Sequence, residues 1–107
     1  MSEFMIPPNH VGFKAKKLSG QIAGNVADCA IAFIEPGGGG PHPSHTHPHD
    51  HFFVVVEGCA TIQMGNEKVK VKADESIMVP GEIIHSIWNE SDQPLKMIGL
   101  TINHEDK

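Results

Sequence analysis

Short segments of alternating character, broken at regular intervals by turn residues, leave this chain little choice but a β fold. The clearest unit spans residues 60–72. Ala60 to Met64 is mostly apolar, Gly65-Asn66 is a two-residue hairpin signal, and Lys68-Val69-Lys70-Val71-Lys72 alternates charged with branched side chains. Alternation with a period of two gives a strand one wet face and one dry face. No segment reads as a convincing helix.

The other segments keep the same rhythm. Residues 1–10, with Pro7-Pro8-Asn9, read as a loosely attached lead-in. Lys14 to Leu18 reads as an edge strand whose lysines discourage unwanted pairing. Val26 to Ile34 reads as a buried strand, and Pro36-Gly37-Gly38-Gly39-Gly40-Pro41 is expected to stop it as a turn. His45 to Glu57 is expected to form one strand ended by Gly58, with Glu57 capping it. Then come Ser76 to Val79, a turn at Pro80-Gly81, Ile84 to Trp88, and a returning arm from Leu95 to Ile102. Eight or nine strands at this spacing predict a small all-β sandwich or barrel.

A chain of 107 residues fits one domain, with residues 1–25 as lead-in and edge strand and 26–107 as the barrel. Its core is modest, so oligomerisation is expected to supplement it. A formal net charge of −5 argues against nucleic acid as a partner, and Lys14, Lys16 and Lys17 read as a solvated edge. No apolar run reaches the roughly 18 residues that span a bilayer. Met1-Ser2-Glu3-Phe4 lacks the features of a signal peptide, so a cytoplasmic location is expected. There Cys29 and Cys59 read as two small buried hydrophobes. The chain has no tyrosine, which excludes a tyrosyl radical or a tyrosine acid.

The chemistry concentrates in His45-Thr46-His47-Pro48-His49-Asp50-His51 and in the distant His85. In one extended segment, positions 45, 47 and 51 share a face, and His85 on another strand can close the cluster. Four neutral imidazoles aimed at one spot suit a divalent transition metal. A flexible His-rich loop, or a solvated loop without metal, would explain neither His85 nor the apolar Phe52-Phe53-Val54-Val55-Val56 run. His10 and His104, near the ends, read as solvent-exposed.

Two stretches resemble the motifs of the cupin superfamily. The first motif runs G-x5-H-x-H-x3,4-E-x6-G. Here Gly39 is followed by five residues, His45-Thr46-His47, three residues, His51 in the glutamate position, six residues and Gly58. The second runs G-x5-P-x-G-x2-H-x3-N, and Pro80, His85 and Asn89 keep its proline, histidine and asparagine. Asp74 stands where that motif opens with glycine, a turn position that Asp tolerates. Glu82 stands in its second glycine position, with Gly81 one residue early. The resemblance implies a double-stranded β-helix, or jelly-roll barrel, with a metal inside and dimers common. It implies His45, His47, His51 and His85 as the ligands.

A four-histidine set favours manganese or iron, with zinc, nickel, cobalt or copper also suited, over calcium or magnesium. With His51 in place of a carboxylate, the first shell gains one unit of positive charge, which favours an anionic ligand. Four protein ligands on an octahedral ion leave two positions for a small organic molecule or for oxygen. The leading expectation is therefore redox chemistry of the oxygenase type on a small molecule. The alternatives are non-redox isomerase, cyclase or lyase chemistry, or small-molecule binding without catalysis. Glu82, His49 and His42 are the candidates for moving protons near such an ion. Phe53, Val55 and Ile87 share the parity of the ligands and are expected to face the interior. Trp88 is left open between lining the pocket and packing outside.

Overall fold

The computed structural model describes residues 3–20, 23–46 and 48–103, without the side chains of residues 43–45. Eight strands follow in order: β1 (Val11–Ser19), β2 (Val26–His45), β3 (His49–Glu57), β4 (Cys59–Met64), β5 (Glu67–Lys72), β6 (Ser76–Val79), β7 (His85–Trp88) and β8 (Leu95–Asn103). All pairings between them are antiparallel.

The hydrogen-bonded path β5-β4-β7-β2-β8-β3-β6, with β1 on β2, folds into two layers. One contains β1, the first half of β2, β8, β3 and β6. The other contains the second half of β2, β7, β4 and β5. Because β5 also approaches β3 and β6, the path nearly closes into a barrel. This is the expected jelly roll.

The sheet corner lies where a stop was expected. β2 does not end at Pro36–Pro41 but runs through the glycine stretch and changes sheet. Up to Ile34 it pairs with β8 and β1, and from Gly39 it pairs with β7. Glycine permits this for two reasons. Gly37, Gly39 and Gly40 hold φ of 84°, 155° and 150°, a region that side chains disfavour. A Cβ on Gly39 would also collide with the Ile87 carbonyl oxygen and the Trp88 ring. The same composition that makes a turn therefore also makes a bend between sheets.

Asn89 holds that corner. Its side chain is completely buried. Nδ2 donates to the carbonyls of Ile34 (2.9 Å) and Gln93 (2.7 Å), and Oδ1 accepts from the Ser91 amide (3.0 Å) and hydroxyl (2.8 Å). Its backbone carbonyl accepts from the Gly37 amide, and its amide donates to the Gly38 carbonyl. All polar atoms of this buried side chain are thus satisfied.

The core follows the alternation. Ala32 and Ile34 of β2, Phe53 and Val55 of β3, and Leu95 and Met97 of β8 point inward with Phe13 of β1. Val79 of β6 continues this layer, and facing it are Ala60 and Ile62 of β4, Val71 of β5 and Ile87 of β7. In β5, Val71 is buried and Val69 half-buried, while Lys68, Lys70 and Lys72 are exposed. The hairpin before it pairs Met64 with Glu67 across Gly65-Asn66, whose single positive φ, 59° at Gly65, fits a type II′ turn.

The lead-in is less loose than expected. Met5 bridges Ala15 on the outer side of β1, and Phe4 packs edge-on against Phe33. His10 is half-buried rather than exposed: Nδ1–H donates to the Pro8 carbonyl (2.7 Å) and the ring meets Phe13. Cys29 and Cys59 are free and only half-buried, because each stands near a strand end. His104 lies outside the described residues. Among the described residues, no helix is long and apolar enough to cross a membrane.

Asp74 adopts φ 73°, as its place in the motif implied. Its amide donates to the Val55 carbonyl (2.8 Å). Aspartate tolerates this left-handed conformation, whereas a β-branched residue does not. Asp74→Val should therefore cost about 1–3 kcal/mol in urea unfolding, and Asp74→Gly less than about 0.5 kcal/mol.

Candidate metal centre

β3 carries His51 on the inward face, in line with Phe53 and Val55. β7 carries His85 and Ile87 on its inward face, His85 being 2% exposed. The barrel closes these two faces on one another. The His51 and His85 rings meet edge-on, with centroids 5.4 Å apart and planes at 72°. His51 also stacks on Phe53 at 5.3 Å and 16°, which limits rotation of its ring.

The turn before His85 is fixed from both sides. Ile83 N–H donates to the Pro80 carbonyl. Asp50 Oδ1 accepts from the Gly81 amide (2.9 Å), tying the start of β3 to the turn that leads into β7. Asp50 thus couples the positions of His51 and His85, a role the motif alone did not reveal. Nδ1 of His85 lies 2.7 Å from the Ile83 carbonyl. A carbonyl can only accept, so Nδ1 carries the proton, and in the neutral ring Nε2 carries the lone pair. Fixing the tautomer of a histidine through its other nitrogen is how metal-binding imidazoles are oriented.

His45 ends β2 directly opposite His85, by backbone register. The expectation of one strand from His45 to Glu57 is therefore corrected. His45 and His51 belong to different strands, and period-two parity does not link them across Pro48, which lies between β2 and β3. His47 lies outside the described residues. Among the described residues, no three His, Cys, Asp or Glu side chains gather as a metal site.

The donor geometry of the pair was tested against an ion. Two imidazoles on one metal, with bonds of about 2.0–2.1 Å, hold their ring centres roughly 4.5–5.5 Å apart. The 5.4 Å of His51 and His85 falls in that range, so this pair fits.

The candidates for proton transfer divide. His49 meets His51 edge-on at 4.9 Å and is half-buried. Glu82 is exposed on the turn before β7, and His42 is exposed on β2 with its amide donating to Asn9. Glu57 is exposed at the end of β3. Trp88 lies with Ser86 on the face of β7 opposite His85, Nε1–H donating to the Ser86 hydroxyl (2.8 Å).

Beside His51 lies a cavity of about 140 Å3, walled by Phe53, Ile87, Met97 and Gly99. Its other polar side chains are Asp28 of β2 and Thr101 of β8, neither singled out by sequence. The signal was present for Asp28. It is the lone carboxylate in the apolar run Val26 to Ile34, with the parity of the inward Ala32 and Ile34. A larger groove of about 460 Å3 lies by Phe4, Phe33 and Pro36, but no histidine lines it.

A nearly closed antiparallel jelly roll with paired inward histidines and a small interior cavity defines a cupin-type barrel. Residues 30–102 match the family model Cupin_2, cupin domain, and the chain belongs to that family. Among curated proteins it is 33% identical over 55 residues to polyketide synthase CurC from Streptomyces cyaneus, covering 50% of this chain and 36% of that protein. It is 31% identical over 67 residues to mannose-1-phosphate guanylyltransferase from Salmonella muenchen, covering 63% of this chain and 14% of that protein. The chain thus spans a minor part of both relatives. Among solved structures, a cupin-2 domain protein from Rhodospirillum rubrum superposes with a TM-score of 0.80 at 15% identity, covering 99% of this chain and 72% of that one. The polyketide cyclase RemF from Streptomyces resistomycificus gives 0.78 at 18%, covering 100% and 76%. The cupin domain of an XRE-family transcriptional regulator from Enterobacter cloacae gives 0.77 at 19%, covering 88% and 99%. At these identities the structural matches speak for the fold alone.

Proposed function

We propose that this chain is a metal-dependent enzyme acting on a small organic molecule, with a divalent first-row ion held by His45, His47, His51 and His85. The observation that carries the reading is the contact of His51, half-buried at the cavity wall, with the buried His85, whose tautomer is held by Ile83. Two strands and a turn cross-linked through Asp50 hold that pair in place.

Bound there, the ion would supply Lewis acidity, or electrons toward oxygen if it is manganese or iron. The chain's own residues do the rest. Phe53, Ile87 and Met97 give the cavity apolar walls against which the body of a small molecule can pack. The Thr101 hydroxyl offers a donor and an acceptor to a bound molecule. His49, in contact with His51, is the nearest histidine able to relay a proton toward solvent.

Oxygen-dependent oxidation is the first reading of the reaction. A specific observation favours the second, non-redox reading: CurC and RemF are both polyketide proteins by name. That supports cyclisation or isomerisation of a carbonyl compound through Lewis-acid activation. Small-molecule binding without catalysis is the third reading, and one structural match is the cupin domain of a transcriptional regulator.

Elemental analysis of untagged protein, purified without added metal, is expected to return about one first-row ion per chain. Manganese or iron supports the oxidative reading, and oxygen-uptake screens with diketones, phenols and thiols follow from it. Zinc shifts the assignment to non-redox catalysis. Protein that neither retains nor takes up any such ion refutes the proposal.

A further inference from the structure

We propose that Asp28 is the second polar pole of the barrel cavity, where it accepts a hydrogen bond from a compact ligand carrying a hydroxyl or amino group. This deepens the reading above and rests on it only in treating the cavity as a ligand site.

Register places the residues. Asp28 pairs with Thr101 across β2 and β8, and Thr101 pairs with His51 across β8 and β3. Side chains paired in register point to the same face, so Asp28, Thr101 and His51 form one inward row. The rows beneath it are Ala30–Gly99–Phe53 and Ala32–Met97–Val55. These are small or apolar, and all of them but Val55 make, together with Ile87, the body of the cavity. With strands about 4.8 Å apart, the backbones of Asp28 and His51 stand about 10 Å apart. A ligand spanning that gap has one end at His51 and the other at a carboxylate, passes the Thr101 hydroxyl, and lays its body on the apolar rows beneath.

Size narrows the class. The cavity is about 140 Å3, and a cavity of about 150 Å3 accommodates benzene. The Phe53 ring lies over Gly99, where a Cβ would come within 3.0 Å of it, so glycine at this position leaves room for ring and ligand together. The class is therefore a phenol- or enol-sized molecule with a hydrogen-bond donor at the end away from the histidines.

The competing explanation is an ion pair. Lys17 Nζ lies 4.0 Å from Asp28 Oδ2, with the two side chains 58% and 28% exposed. A pair this exposed contributes little to stability. It would also leave unexplained why the carboxylate, and not Lys17, lines the cavity.

The test follows the amide signals of Gly99 and Thr101 by NMR while the full chain is titrated with resorcinol and, separately, with meta-difluorobenzene. The two probes share a shape, but only resorcinol donates hydrogen bonds. Measurements are made on protein as purified and after chelator treatment. Resorcinol is expected to bind about tenfold or more tightly than its partner, as a charged acceptor implies. Asp28→Leu should bring that ratio within about twofold, Asp28→Asn should leave it intermediate, and Lys17→Met should preserve it. If Asp28→Leu does not fold, Asp28→Asn decides. Equal binding of both probes to the parent protein overturns the proposal. So does an unchanged ratio in the Asp28 variants, or an equal collapse in Lys17→Met. Zinc affinity, measured separately, should stay within about twofold in the Asp28 variants. Loss of zinc binding by the parent protein would refute the metal reading and leave the probe result standing by itself.

Discussion

His51→Ala and His85→Ala should each lower affinity for manganese or zinc by about a hundredfold or more, while His49→Ala changes it by less than about threefold. Losing only the partner that orients a metal-bound histidine costs about 10–100-fold, so losing the ligand itself belongs at or beyond the top of that range. The three residues make a sharp comparison because they touch one another: His49 meets His51 at 4.9 Å, and His51 meets His85 at 5.4 Å. A site defined by directed ligands separates them, and a loose cluster of imidazoles does not. Metal titration with a competing chelator, with the folded state checked for each variant, decides the matter. Equal loss at all three positions would overturn the ligand assignment and favour a generic His-rich segment.

Asn89→Ala should destabilise the barrel by about 3–4 kcal/mol, lowering the melting temperature by about 15 °C. The substitution removes four hydrogen bonds made by the side chain, none of which water can readily replace at 0% exposure. It strands the Ile34 carbonyl just before β2 turns its corner. Asn89→Asp should do no better, because it puts acceptor against acceptor and buries a charge. Urea unfolding of the two variants is the measurement. A loss below about 1 kcal/mol would mean that the glycine corner stands without its brace.

The β architecture was legible wherever side-chain alternation had one wet and one dry face. Lys68 to Lys72 and the Gly65-Asn66 turn are the clear cases, since local pattern and tertiary environment agree there. Asp74 and Asn89 were legible as motif positions. That Asn89 braces a bend in β2 was not, because its partner there, the Ile34 carbonyl, lies 55 residues away. The glycine run misled for a physical reason. Glycine marks any backbone that must bend or be approached closely, and sequence does not say whether the strand stops or changes sheet. Parity failed between His45 and His51 because it holds only within an unbroken strand. Asp28 was visible as a lone carboxylate of inward parity, but its place in a row with His51 depends on register across β8, which local pattern does not carry.

The placement of β8 has a consequence for how the molecule is made. Last of the eight strands in sequence, it lies in the middle of its sheet, between β2 and β3. Until it emerges from the ribosome, those two strands have no bridge, and Phe53, Val55 and Ile34 lack the cover of Leu95 and Met97. A growing chain that still lacks β8 therefore carries open sheet edges and bare apolar faces. It closes both at once when the final strand slides in. In this order β8 is a keystone, and the chain before β8 is paired, rather than the finished barrel, is the form whose open edges most invite aggregation.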